Sequence, residues 1–426
     1  MIAIFLADGG LNEAKTSAGA WTAIGQLTGL IGTDLLLIQL LLASRLPWID
    51  KSFGHDRAMA FHQFLGKPVI ILISLHAITL TIGYGLEDKL SFVPEIFSML
   101  TSLSDIGWAY VALGLLFVIV GTSLALVRIK LDYDVWFIVH LTAYIAVLAS
   151  IPHQFSDGQV FGVGTIARFY WIFLYGITAL SLITFRFAIP VINSIIHSLV
   201  VESVRAEGDG VVSILLRGKD IHKLQARGGQ FFMWRFWAKG IWWHAHPFSL
   251  SASPTENHLR ITIRALGKGS EQLQNIHPGT KVGIEGPYGL FTEMARTSRK
   301  IVMIAAGIGI TPVRALLEDA EFAPGEATVI VRNTTDDVYH YDELEDIAFR
   351  RGVKLLVFEG KRPKDVSTWL PHNVWQTGGT LEKIIPDVKE ADIYICGPTL
   401  WARSVVEDAK AAGVAKHQIH WERFNW

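Results

Sequence analysis

Up to about residue 190 the chain runs in long, nearly unbroken apolar stretches; beyond it apolar residues recur in short alternating runs and charges become dense. A helix that crosses the hydrocarbon core of a bilayer needs about 20 mostly apolar residues. Five stretches meet that length, near 21–43, 60–83, 106–127, 133–151 and 166–187, and predict an α-helical transmembrane bundle over 1–190. Only the third is free of charge and histidine. The opening run MIAIFLADGG has no basic n-region and is too short for a span or an ordinary signal peptide.

After residue 190 the periodicity falls to two. HSLVVESV, GVVSILLR, QFFMWRF, HLRITIRAL and KVGIEG read as strands between glycine and polar turns, the pattern of a small antiparallel β-barrel over 191–297. From 298 to 426 strand and helix patterns alternate. KIVMIA, ATVIVR, KLLVFE and DIYICG are the strands and TPVRALLEDA opens the first helix, so an α/β domain with a parallel sheet is expected.

Composition agrees with a membrane half joined to a soluble half. Of 426 residues, 50% are hydrophobic and 18% charged, with mean hydropathy +0.34. A net charge of −1 offers no broad basic surface for nucleic acid. The one cysteine, Cys396, excludes a disulfide framework, a cysteine zinc cluster and a cysteine-ligated iron–sulfur centre. Any metal must sit on histidine or carboxylate, or arrive inside a cofactor.

Basic residues cluster in alternate loops: Arg45, Lys51, Arg57 and Lys67, then Arg128 and Lys130, then Arg186. The opposite loops hold Glu87, Asp88, Lys89, Glu95, Asp105 and Asp157, with Arg168 near the next span. Because basic loops stay in the cytoplasm, the N-terminus is expected outside and the soluble half inside. With no targeting signal and a compact form, a bacterial plasma membrane is the expected location.

The second and fourth spans run in the same direction and carry histidines at matching intervals: His62 and His76, 14 apart, and His140 and His153, 13 apart. Each pair is separated by about 20 Å along its helix. A lone intramembrane histidine can be a polar residue bonded to a neighbouring helix. Two matched pairs instead suggest two stacked bis-imidazole sites, His62 facing His140 and His76 facing His153, suited to two haems. Thirteen residues leave His153 about 140° short of a full turn from His140. Pro152 precedes it, so the fourth span is expected to be distorted or to end there. Asp34, inside the first span, reads as a hydrogen-bonded or protonated packing residue rather than a functional one.

Two turns of the α/β half carry glycine at strand ends. Gly307–Pro312 follows the first strand and opens a helix, where backbone N–H groups favour phosphate; Cys396-Gly397-Pro398 follows strand DIYI. Both lie where open α/β sheets bind ligands.

With these residues assembled, the chain resembles the ferric reductase and NADPH oxidase superfamily, with its ferredoxin-reductase-like dehydrogenase, from about residue 25 to the end. His246-Pro247-Phe248-Ser249 looks like its HPF[ST] flavin motif and Gly286-Pro287-Tyr288-Gly289 like its GPYG motif. Gly307–Pro312 looks like its GxGxTP nucleotide loop, Cys396-Gly397-Pro398 like its CGP motif, and the histidine pairs match its bis-haem spacing. The resemblance implies FAD, two b-type haems and NADPH, with NADH possible. By position, His246 and Ser249 would contact flavin, with Phe248 beside it. Ile263 and Arg264 would border the flavin, and Gly269 and Ser270 would open a helix onto its pyrophosphate. Gly307, Gly309 and Thr311 would hold the nicotinamide nucleotide, with Cys396 near its ring. Glu422-Arg423-Phe424 resembles the family's E-x-F, so Phe424, or Trp426 beyond it, would stack on the isoalloxazine. Arg332, with Arg362 assisting, would bind a 2′-phosphate.

The implied activity passes electrons from cytosolic NADPH through FAD, the inner haem and the outer haem to dioxygen or a ferric chelate outside. Leu80 stands where the eukaryotic-type oxidases place a further histidine, and the first span lacks their arginine. A dedicated oxygen pocket is therefore in doubt, and the chain shows one span fewer than the family's usual six. The alternatives are an electron donor to a specific periplasmic or cell-surface partner and a haem-binding membrane sensor. Calcium-binding loops are absent from the sequence. Acceptor and oligomeric state are not legible in it.

Overall fold

A computed structural model of the chain describes residues 2–7, 9–10, 12–129, 133–156, 161–208, 210–334 and 338–422. The chain divides into two compact units, Met1–Leu46 with Arg57–Arg186, and Pro47–Asp56 with Phe187–Trp426.

Helices α1 (Ser17–Ala43), α2 (His55–Asp88), α3 (Phe92–Ser102), α4 (Ile106–Ile129), α5 (Tyr133–Ser156) and α6 (Ile166–Ser181) build the first unit. Among the described residues five helical stretches are long and apolar enough to cross a membrane, the number the hydropathy pattern predicts. Their outer surface is as apolar as the interior, and the interior mixes small residues with large ones such as Leu30, Leu37, Leu40 and Trp171. Leu148, Phe169, Phe173 and Leu180 are exposed, whereas α1 buries Thr22, Gly25, Gly29, Gly32 and Thr33. Lipid tails solvate apolar side chains as well as a protein core does, so small residues that allow close approach occupy the inside. Thr16 caps α1 by accepting from Gly19 N at 3.0 Å. Asp34 lies beside Tyr170 of α6, and its Oδ1 is buried with no hydrogen-bond partner among the described residues.

The expected break before His153 is not found as an end: α5 continues through Pro152 to Ser156. Proline withholds one N–H from the helical ladder. The carbonyl left without that donor is that of Leu148, four residues back; two residues on from it, the Ser150 carbonyl accepts from Gln154 Nε2 at 2.8 Å.

In the second unit, α7 (Ile189–His197) leads into β1 (Leu199–Gly208), β2 (Val211–Arg217), β3 (Phe231–Phe236), β4 (His246–Ser249), β5 (His258–Arg264) and β6 (Lys281–Tyr288). The six strands are antiparallel, in the order β4-β3-β6-β1-β2-β5. The two edges meet at a single bridge, Leu250↔Ile261, so the sheet curls into a barrel closed by one link. Phe232, Trp234, Phe236, Ile214, Leu216 and Ile261 fill it. Strand β4 is absent from the hydrophobic pattern because it is four residues long and contains Pro247. It occupies an edge of the sheet order, where a residue without N–H is tolerated. Ser194 fastens α7 to the barrel, its Oγ accepting from Ile284 N at 3.0 Å.

The remaining strands are β7 (Lys300–Ala306), β8 (Ala327–Asn333), β9 (Lys354–Glu359), β10 (Ala391–Cys396) and β11 (Ile419–Glu422). They form a parallel sheet in the order β11-β10-β7-β8-β9, a doubly wound arrangement whose direction of travel reverses between β7 and β10. Helices α8 (Lys268–Leu273), α9 (Ile310–Asp319), α10 (Tyr341–Arg351) and α11 (Thr399–Ala411) complete the unit.

Barrel and parallel sheet are locked by a polar cluster. Arg260 of β5 forks onto Glu343 of α10 at 3.0 and 2.8 Å, and Arg314 Nε of α9 lies 2.7 Å from the same carboxylate. His340, with no side-chain exposure, bonds Thr262 Oγ1 through Nε2 at 2.9 Å, while Nδ1 is 3.9 Å from both Glu207 and Glu343. Burial, then the charge of Arg260, lowers the His340 pKa to about 4. An unfolded histidine titrates near 6.5, so between that value and about 4 the unfolded chain takes up the proton and the folded chain does not. Stability contributed by neutral His340 is therefore whole above pH 6.5 and declines as pH falls towards 4. The urea midpoint is expected to drop over that window, and His340→Gln, which keeps a bond to Thr262, is expected to flatten the drop.

Candidate functional site

In a doubly wound sheet the ligand crevice opens at the carboxyl ends of the strands where their order reverses. Here those strands are β7 and β10, and their following turns are the two glycine turns predicted from sequence. Gly307 adopts φ +55, a left-handed conformation. A Cβ on Gly309 would lie 2.3 Å from the Cys396 carbonyl oxygen, so only glycine lets the two turns meet. Gly309 and Pro398 are the residues from which α9 and α11 start, which brings two helix N-termini to one crevice. The Thr311 hydroxyl donates to the Ile308 carbonyl at 2.9 Å and fastens the first turn.

Cys396 is fully buried, opposite Glu422 in the β10–β11 register. Burial, then the neighbouring Glu422 charge, pushes its thiol pKa well up, so the group stays a neutral thiol. Phe424 and Trp426, the two aromatics expected over the flavin, lie outside the described residues.

On the barrel, β4 is held by Trp234, whose Nε1 donates to the Phe248 carbonyl at 2.8 Å. The His246 and Phe248 rings stack at 5.9 Å and 13° across Pro247. Ser249 Oγ is buried with no hydrogen-bond partner, a polar atom suited to a bound flavin edge. Gly269 packs against His246, where an added Cβ would be 2.5 Å from the ring, so the motif histidine and the start of α8 come together. Ser270 Oγ is committed locally, accepting from Leu266 N and Gly267 N at 2.9 and 3.1 Å. On β5, Ile263 points into the barrel core and Arg264 is exposed.

Arg332 lines a cleft of roughly 600 Å³ with Lys361, Arg362, Lys364 and Arg403. Among the described residues no acidic side chain lines it. Arg332 is buried, and its guanidinium donates to the carbonyls of Asn333 and Gly360. Burial, then the Arg362 charge, lowers its pKa. The run 361-KRPK-364 is visible in the sequence as a cation cluster; Arg403, some 40 residues on, carries no local signal.

In the membrane unit the rings of His62 and His140 have centroids 6.1 Å apart, and those of His76 and His153 6.5 Å apart. With a metal–nitrogen bond of about 2 Å and about 1.1 Å from nitrogen to ring centre, two trans imidazoles stand about 6 Å apart. Both pairs therefore fit one iron each. His62 Nδ1 donates to the Gln39 carbonyl at 2.9 Å and His76 Nδ1 to the Gly25 carbonyl at 2.8 Å, leaving each Nε2 for a ligand. His140 Nδ1 has no partner among the described residues, and His153 Nδ1 has only the Ser150 carbonyl of its own helix nearby. Among the described residues no cluster of three or more His, Cys, Asp or Glu could hold a bare metal ion.

His55 is a further candidate that sequence reasoning missed. It is buried, stacks on Tyr288 of the GPYG motif at 5.1 Å and lies 3.3 Å from Asp50 Oδ1. His55 is the first residue of α2, ahead of its apolar stretch, where periodicity does not single it out.

Three families match successive parts of the chain: a ferric reductase like transmembrane component over 28–151, a FAD-binding domain over 197–292 and an oxidoreductase NAD-binding domain over 303–407. Together, in that order, they give the chain a ferric reductase/NADPH oxidase-type architecture. Among characterised relatives, a flavohemoprotein of Xylella fastidiosa is 29% identical over 51% of this chain and 56% of its own length. A glycine betaine monooxygenase reductase subunit of Chromohalobacter salexigens is 26% identical over 42% of this chain and 50% of its own. The chain thus spans a little over half the length of the curated relatives it matches. Among solved structures, the FAD/NAD-binding domain of a Vibrio cholerae nitric oxide dioxygenase aligns with TM-score 0.45 and 23% identity, covering 54% of this chain and 98% of that one. A flavohemoglobin from Malassezia yamatoensis aligns with TM-score 0.46 and 18% identity over 96% and 99%.

Because the Cys396 thiol is buried and protonated, alkylation by iodoacetamide at pH 8 is expected to be at least about tenfold slower than for a free thiol of pKa near 8.5. Mass spectrometry of the native and the urea-unfolded protein measures the difference.

Proposed function

We propose that the chain is a transmembrane oxidoreductase that moves electrons from cytosolic NADPH, through FAD and two b-type haems, to an extracytoplasmic acceptor such as dioxygen or a ferric chelate. The observation that carries this reading is the pair of facing imidazoles repeated on the same two helices, at 6.1 and 6.5 Å. FAD accepts a two-electron hydride and releases electrons singly, which is what joins a nicotinamide to haem iron. The remaining contributions belong to the chain. The turns at Gly307, Gly309, Thr311 and Cys396-Gly397-Pro398 seat the nucleotide at two helix N-termini. Ser249 offers its unpartnered hydroxyl to the flavin, His246 and Gly269 shape the pocket beside it, and the Cys396 thiol packs near the nicotinamide without ionising. His62 and His140 hold the inner iron, His76 and His153 the outer.

The cleft at Lys361, Arg362, Lys364 and Arg403 supports NADPH over NADH, since only the former brings a 2′-phosphate to this cluster of cations. Arg332 is a post for that cluster, its own guanidinium committed to backbone carbonyls. The basic loops at Arg45, Lys51, Arg57 and Lys67 support a cytoplasmic dehydrogenase in a plasma membrane.

A second reading, donation to a specific extracytoplasmic partner, is favoured by Leu80. It is an apolar side chain packed towards Gly25 at the position where oxidases of the family carry a further histidine. Rapid reduction of free dioxygen or ferric citrate by the purified protein would argue against it.

The purified protein is expected to show a low-spin, two-haem b-type spectrum that is reduced on adding NADPH and FAD. His76→Ala or His153→Ala should lose about half the haem, and absence of haem absorbance ends the reading. Separately, Arg362→Ala is expected to raise the KM for NADPH about tenfold, equivalent to about 1.4 kcal/mol, with the KM for NADH little changed.

A further inference from the structure

We infer that α1 orients both α2 histidines for metal ligation through its backbone carbonyls, and that Gly29 is the positioning residue that makes the tie at His76 possible. The inference rests on the bis-haem reading and assigns roles that reading leaves open. Each α2 imidazole gives its Nδ1 proton to α1: His76 to the Gly25 carbonyl at 2.8 Å, His62 to the Gln39 carbonyl at 2.9 Å. Gln39 also returns a bond, its Nε2 donating to the His62 carbonyl at 3.1 Å. The two ties are 14 residues apart on α1, the same interval that separates the histidines on α2.

A helical carbonyl is ordinarily screened by the side chain one turn further along. Above Gly25 that residue is Gly29, and a Cβ there would sit 2.4 Å from His76 Nδ1 and 2.8 Å from Cε1. The ring could escape only by leaving the Gly25 carbonyl. The other small residues of this face are different. A Cβ on Gly32 would meet Ile73 Cδ1 at 2.8 Å, the movable end of an apolar side chain. A Cβ on Gly25 would meet Leu80 Cδ2 at 2.6 Å. Close helix packing is thus served along the whole face, but ring placement is served at Gly29.

The tie has an electronic consequence. Donation of Nδ1–H to an acceptor fixes the tautomer and the ring plane, and makes the other nitrogen a stronger donor to a metal. The α5 rings lack any such tie to a neighbouring helix: His140 Nδ1 has no partner among the described residues, and His153 has only Ser150 of its own helix nearby. Each iron would therefore have one oriented, more basic ligand from α2 and one unanchored ligand from α5. Loosening the α2 ligand should raise the reduction potential of that haem alone.

The test is a spectroelectrochemical redox titration, with low-spin EPR, of the purified full chain in nanodiscs. Wild type should give two haem transitions; if it does not, the bis-haem reading fails before this inference is reached. Gly29→Ala is expected to shift one transition to more positive potential and alter its EPR signal, leaving the other in place, while Gly32→Ala leaves both as in wild type. Two unshifted transitions in Gly29→Ala, or the same shift in Gly29→Ala and Gly32→Ala, would overturn the inference in favour of packing alone. Gln39→Leu, which removes the return bond to His62, is expected to move the other transition. Should Gly29→Ala not accumulate, Gln39→Leu decides: an unmoved transition there overturns the inference.

Discussion

Two imidazoles can share one iron only when their ring centres stand about 6 Å apart and each keeps one nitrogen free of competing bonds. On the proposed bis-haem reading, most of the first unit serves that constraint. Histidine in a bilayer needs a partner for its second nitrogen, because no water is present to supply one. Here the partners are backbone carbonyls of α1, and the one at Gly25 is reachable because Gly29 leaves it uncovered. The exposed face of the bundle carries phenylalanine, leucine and isoleucine instead, which cost nothing against lipid.

The second unit obeys a different constraint: a backbone must approach a phosphate and a flat ring system without its own side chains intervening. The parallel sheet meets it by reversing strand order at β7 and β10, which opens a crevice flanked by two helix starts. The barrel meets it at an edge strand, where Pro247 removes a donor and Ser249 is left buried with an unpaired hydroxyl. A buried unpaired hydroxyl costs about 1–3 kcal/mol, and that cost is removed only when a ligand supplies the partner. The cluster of Arg260, Arg314, Glu343 and His340 holds barrel and sheet in register, so that these two halves of one site share a frame.

The sequence disclosed the elements with strong periodicity and the motifs built on glycine. Five apolar stretches, the strands KIVMIA and DIYIC, and the turns at Gly307 and Cys396 all stand where the pattern put them, because each signal is local. Strands β4 and β11 escaped, being four residues long, one interrupted by proline and the other reading IHWE. Pro152 does not end the span: a proline removes one rung of a helix, and α5 continues to Ser156. The carbonyl ties to His62 and His76, the stacking of His55 on Tyr288 and the recruitment of Arg403 to the cation cleft were invisible. In each the partner lies far along the chain, or is a backbone atom that no residue letter denotes.

The cleft at Arg332 shows why net charge and local field must be argued separately. A chain of net charge −1 places five cations around one cleft, with no lining acid among the described residues. Crowding like charges opposes folding, and the depressed pKa of Arg332 records it, through burial first and the adjacent Arg362 second. The interior of the cluster is stabilised by neutral groups: the carbonyls of Asn333 and Gly360 accept from Arg332 without cancelling its charge. An ion pair would have relieved the repulsion more fully, but it would also have neutralised the field. Keeping the charge while satisfying the hydrogen bonds leaves a fixed positive potential whose natural complement is a multivalent anion, and a phosphate arriving with a dinucleotide at the neighbouring crevice is the anion this fold is built to bring there.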